Sequence, residues 1–136
     1  MTTIAANIAA TIDTGVASLS LGTNLFIGPK RPAMSGIPQK SVFVVVTGGP
    51  PSTPILNGVE QKTVNVQIMV RSDLHTIAGS YQDGQELAEE IFSVCQYAPP
   101  AGFIDAAFVS SAPLYLGQED NGNHLWSMNL AVTYYA

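Results

Sequence analysis

The sequence predicts an α+β fold, a mostly antiparallel sheet of about four to five strands with two helices packed on it. Three observations predict it. Apolar residues recur every three or four positions over 3–19 and again over 80–96, which is the period of a helix with one buried face. Residues 62–71 and 124–135 alternate with period two, the mark of a strand with one buried face. The order is helix, short strand, two strands, helix, then two strands or more, and helices on one face of an antiparallel sheet bury every apolar stripe. The 136 residues suit a single domain, and a 46% hydrophobic share is enough for a core.

The first helix carries Ile4, Ile8, Ile12, Val16 and Leu19 on one face and ends near Leu21-Gly22. Thr2 or Thr3 caps its start. Gly15 weakens it by about 1 kcal/mol relative to Ala, so the helix depends on tertiary packing. Asn24–Ile27 reads as a brief strand stopped by Gly28-Pro29. Residues 29–40 hold three prolines and a glycine and form an irregular surface connector. Ser41–Thr47 is β-branched with little alternation, so it is covered on both faces or lies centrally.

Residues 47–61 contain Gly48-Gly49, Pro50-Pro51, Pro54 and Asn57-Gly58. The segment is long for a hairpin connection, where about two to five residues is normal. It is either disordered or a loop reaching for a partner. Residues 62–71 place Val64, Val66, Ile68 and Val70 on one face and Thr63, Asn65, Gln67, Met69 and Arg71 on the other. This strand pairs antiparallel with 41–47 across the long loop.

The second helix, 80–96, buries Tyr81, Gly84, Leu87, Ala88, Ile91, Val94 and Cys95 and turns Glu86, Glu89 and Glu90 outward. Ser80 with Asp83, or Asp83 with Glu86, has capping-box spacing. Pro99-Pro100 closes the element. In 103–109, Ile104, Ala106 and Phe108 share a face if the segment is a strand. Asn121-Gly122 fits a type I′ hairpin turn. The last strand then carries His124, Trp126, Met128, Leu130, Val132 and Tyr134 on its regular face.

Charge narrows the function. Only 11% of residues are charged, against about 25% in ordinary soluble domains. Such a chain has a neutral surface of Ser, Thr, Asn and Gly, or hides surface against partners. The net charge is −5 and no basic run exists, which argues against a groove that grips nucleic-acid phosphates. Cys95 is the single cysteine and reads as a small buried hydrophobe. The N-terminal text lacks a basic region and contains Asp13, so a signal peptide is not expected. No stretch approaches the roughly 20 apolar residues that span a bilayer.

Catalytic spacing is missing. His75 and His124 are the two histidines, and no C-x-x-C, H-x-x-x-H or H-E-x-x-H pattern accompanies them. Ser110 and Ser111 lack the G-x-S-x-G elbow, and Glu89 and Glu90 point in different directions on their helix. The glycines form no phosphate-cradling loop. Trp126 reads as core. Tyr134 and Tyr135 point in opposite directions, so at least one leaves the core; tyrosine suits protein interfaces. The sequence thus predicts no enzyme, cofactor or metal.

Five stretches carry a family resemblance: Leu21–Pro29, Ile37-Pro38 before SVFVVVTGGPP, VNVQIMVRS, Tyr81 to Ile91, and PLYLGQEDNGNHLWSMNLAVTYY. Together they cover most of the chain. The text resembles a family of small structural proteins of tailed bacteriophages, the minor capsid or tail-completion (tail terminator) proteins. The resemblance implies a subunit of a hexameric ring that caps the finished tail tube, offers a docking face to the head connector and keeps a channel open for DNA. It implies synthesis in the host cytoplasm and a place in the virion at the tail end or neck. The 47–61 loop and the Pro-rich connector would then meet the tube or connector. Lys30, Arg31, Pro50, Pro51, Ile55, Leu56, Tyr115 and Tyr135 are the candidate contacts. Six chains at −5 each would carry about −30, and an acidic lumen would keep DNA off the wall. The alternatives are another virion component, such as a head-closure, adaptor or tube protein, and an unrelated small enzyme or ligand-binding protein.

Overall fold

The first helix begins where the Ala6 amide donates to the Thr3 hydroxyl at 3.2 Å. The structure, a computed structural model, describes residues 3–34 and 36–136, so the alternative cap Thr2 lies outside the described residues. Helix α1 covers Ile4–Gly15, ending earlier than the apolar stripe suggests. Val16 and Leu19 remain fully buried beyond it, across a turn in which Leu19 N–H donates to Val16 O at 3.1 Å.

Strand β1 (Leu25–Ile27) pairs in parallel with β2 (Ser41–Gly48), and β2 pairs antiparallel with β4 (Val59–Leu74). Helix α2 (Ser80–Cys95) leads to β5 (Asp105–Phe108), β6 (Leu114–Gln118) and β7 (Asn123–Tyr135). The sheet has seven strands in the order β1-β2-β4-β7-β5, with β3 (Thr53–Leu56) beside β4 and β6 beside β7. The count exceeds the expected four to five because proline-containing breaks split two ribbons. Residues 49–52 separate β2 from β3, and residues 109–113 separate β5 from β6.

Both helices cover one face. Ile8 and Ile12 of α1 and Leu87, Ala88 and Ile91 of α2 pack on Val42, Val44, Val66, Ile68, Val70, Met128, Leu130 and Val132. Gly84 exists for Trp126: a β-carbon at Gly84 would overlap the indole ring, so glycine lets α2 settle on a fully buried Trp126. The indole N–H donates to Gln85 Oε1 at 2.6 Å, which satisfies its one polar atom.

Several expectations need correction. The 47–61 segment is not a structureless loop: β3 pairs with the start of β4, so the segment is the tip of one long hairpin. Asn57 and Gly58 both have positive φ, 55° and 79°, as a type I′ turn requires. At Asn121-Gly122 the glycine alone has positive φ; Gly122 N–H donates to Glu119 O and the hairpin closes through Glu119 N–H to Asn123 O. Helix α2 has Gly79 as its N-cap and no side-chain cap, so neither Ser80 nor Asp83 acts in a capping box. Tyr81 is half exposed, lying over Trp126 at the core's rim, and Val94 is only partly buried. Ile104 precedes β5 and is exposed, while Ala106 and Phe108 are buried as the alternation requires.

Candidate assembly surfaces

The connector between β1 and β2 is held by a residue whose burial the sequence reading missed. Arg71 lies on the sheet face away from the helices, yet is 1% exposed. Its Nε donates to Gln39 O at 2.6 Å and its Nη2 to Pro38 O at 2.8 Å; Nη1 donates to Arg31 O. The guanidinium stacks over Phe43, 5.3 Å from the ring centroid. Burial pushes the Arg71 pKa down and the charge of Glu119 partly restores it. Phe26, Ile37, Phe43 and Met69 form a second small core beneath this connector. One signal was present: three prolines leave 29–40 with three fewer N–H donors than carbonyls, and a many-donor side chain can make up part of that deficit.

Two candidate contacts sit on this connector. Lys30 forms an ion pair with Glu119, which ties the connector to the β6–β7 turn. Arg31 lies over the Phe26 ring at 5.1 Å. Both are thus engaged within the chain, with Lys30 keeping partial exposure.

Pro50, Pro51, Ile55 and Leu56 lie together on the hairpin arm. Every residue from Gly48 to Val59 is exposed, and Leu56 reaches 70%. The run from Val45 to Leu56 contains no charge. At the base of the arm Glu60 and Ala136 exchange both backbone bonds, at 2.8 and 2.9 Å. The arm is therefore an anchored apolar finger standing outside the core.

Tyr115 belongs to a different surface, the β6 edge. Its hydroxyl meets His124 Nδ1 at 2.8 Å, and its ring packs in a cluster with Tyr81, His124 and Trp126. Leu114 and Leu116 flank it, 59% and 49% exposed. Tyr135 is exposed on the open sheet face, while Tyr134 is half buried against Phe103. The candidate contacts thus fall into separate groups on connector, arm, β6 edge and sheet face.

That open face is polar and nearly uncharged. The register brings together Thr63, Asn65 and Gln67 of β4 with Ser127, Asn129 and Thr133 of β7, and Asp105 is the acidic residue in these rows. Gln67 Nε2 donates to Ser127 Oγ at 3.1 Å, and the Thr63 and Thr133 hydroxyls pair at 3.2 Å. Four acids, Asp83, Glu86, Glu89 and Glu90, stand instead on the exposed side of α2.

His75 Nδ1 approaches the Gly122 carbonyl at 3.3 Å and His124 is held by Tyr115; neither pairs with a carboxylate among the described residues. Among the described residues no group of three or more His, Cys, Asp or Glu is placed to hold a metal ion. An open depression of about 490 Å³ is lined by Gly22, Thr23, Met34, Gly36 and Pro38, with no titratable group among the described residues of its lining. Burial pushes the Cys95 thiol up to about 12. No helix among the described residues is long and apolar enough to cross a membrane.

The model of a family described as bacteriophage tail terminator protein matches residues 32–136, which takes in the sheet from β2 onward, the arm and α2. No curated protein sequence matches the chain.

Proposed function

The chain belongs to the bacteriophage tail terminator family, and from that premise we propose that it forms a ring that ends growth of the tail tube and receives the head. Its general role, a structural part of the phage tail, follows from the family. The finer reading is supported by one observation above the others: the apolar arm is ordered by a type I′ turn, yet its residues from Gly48 to Val59 stay exposed among the described residues. An exposed apolar finger costs solvation free energy unless a partner covers it.

The mechanism is steric. The ring seats on the last layer of tube subunits through the arm, covers the surface on which the next layer would add, and presents its other side to the head connector. The open sheet face makes a suitable channel wall. Thr63, Asn65, Gln67, Ser127, Asn129 and Thr133 offer DNA no cation, so phosphates find nothing to hold them. The wall on this reading is neutral, and the acids of α2 face away from it, which revises the expectation of an acidic lumen.

Phage assembled without this chain test the proposal. The expected particles are headless tails of uneven, excess length, and adding the purified chain should fix tube length and restore joining. Tails of normal length beside heads that lose DNA would assign the chain to head closure, and a complete absence of tubes would make it a tube subunit.

A further inference from the structure

We infer that neighbouring copies join head-to-tail, by antiparallel pairing of β6 in one copy with the Val45–Gly48 edge of β2 in the next. The inference rests on the self-association proposed above and names the surfaces that carry it.

Unpaired strand edges invite pairing, and soluble proteins guard them with Lys, Pro or a covering segment. Some edges of this sheet are guarded. Tyr97 N–H donates to Ala106 O at 2.8 Å, and Phe108 N–H donates to Gln96 Oε1 at 2.9 Å, so β5 is closed. The lower half of β2 is closed by β1. Val42 N–H donates to Asn24 O and Val44 O accepts from Gly28 N–H, so by alternation the Val46 amide and carbonyl face the same side. There they meet no strand, because β1 has ended. On the opposite side of the sheet, β6 makes backbone bonds with β7 alone among the described residues.

These two edges are apolar and uncharged. Val46 is 41% exposed, and β6 exposes Leu114, Tyr115 and Leu116. No charged residue occurs in 45–56 or in 106–118. Within one chain the two edges cannot meet, since β4 and β7 lie between them. A second copy presents the missing edge.

The geometry favours that occupant over a foreign strand. Strand β2 is antiparallel to β4, β4 to β7, and β7 to β6, so β6 runs opposite to β2. Sliding one copy sideways without turning it over therefore gives antiparallel neighbours. Tyr115 shares a row with Trp126 and Val70, whereas Val46 shares a row with Val66. Joining them shifts each copy by four residues along the strands, roughly 13 Å, for a sideways step of four strands, roughly 19 Å. That ratio tilts the strands by about 35° from the axis of the assembly, within the range at which sheets close on themselves. Two different edges meeting make a heterologous contact, and heterologous contacts that close give rings.

Val46→Lys and Leu116→Lys test the pairing. Both side chains are exposed, so each variant should keep its far-UV circular dichroism. Each alone should assemble at least ten-fold more weakly than the unaltered chain. Mixed one to one, they should form a dimer and nothing larger, because each retains the edge the other lacks. In parallel, a chain carrying Val46→Cys and Tyr115→Cys, the two positions that this register sets opposite each other, should form a ladder of inter-copy disulfides on oxidation, with buried Cys95 taking no part. Variants that assemble like the unaltered chain, a mixture that stays monomeric, or assembled rings without cross-links overturn the edge pairing while leaving the ring standing. An unaltered chain that never associates overturns the reading beneath it.

Discussion

Arg71 bears more of the fold than any other charged residue. Its donors serve three backbone carbonyls of the connector, those of Arg31, Pro38 and Gln39. Replacing it with Met should cost about 2–4 kcal/mol, because buried carbonyls lose their partners. Denaturant midpoints should fall, and proteolysis should open first in residues 29–40. Lys should recover little of the loss, since one ammonium on a flexible stem cannot reproduce a planar fork. Cys95 supplies a pH dependence. An unfolded thiol ionises near 9, whereas the folded one is pushed up to about 12 by burial. The folded state thus holds its proton where the unfolded state has lost it. Stability from this group is intact below pH 9 and drains away as pH rises toward 12. Unfolding at graded alkaline pH should show this decline, and Cys95→Ala should flatten it. Thiol reagents near neutral pH should label Cys95 only after unfolding.

At the scale of elements, the arm is set by its turn. Gly58→Ala puts a β-carbon at φ 79° and should cost about 1–2 kcal/mol locally. Hydrogen exchange should show faster exchange in β3 and the start of β4, while global unfolding barely moves, because the arm lies outside the core. The same arm shows where the sequence was legible. Period-two alternation placed β4 and β7, and the 3.6-residue stripe placed both helices, since a large buried face repeats its demand along the whole element. The arm is exposed on both faces, so no alternation marks it, and Pro50-Pro51 hides the continuity of the ribbon. Turn chemistry alone could find it: Asn57-Gly58 carries the same dipeptide as Asn121-Gly122, and only the first adopts the type I′ geometry. The candidate residues on connector and arm were legible as unusual text, rich in proline and glycine. The buried guanidinium and the open β6 edge were not, because each depends on what the fold brings beside it.

For the whole molecule, the low charge acquires a meaning. A helix-covered face, a neutral open face and two uncharged edges are surfaces on which the proposed contacts with copies and partners cost little desolvation of charge. Family membership places that part in a phage tail. The central claim is that the chain closes into a ring of fixed size. Native mass spectrometry of the purified chain over a range of concentrations, with negative-stain imaging of the same samples, tests it most directly. The account predicts one closed species of about six copies with an open centre, or two such rings stacked at high concentration. A chain that stays monomeric at every concentration, or that grows into long tubes, would contradict it.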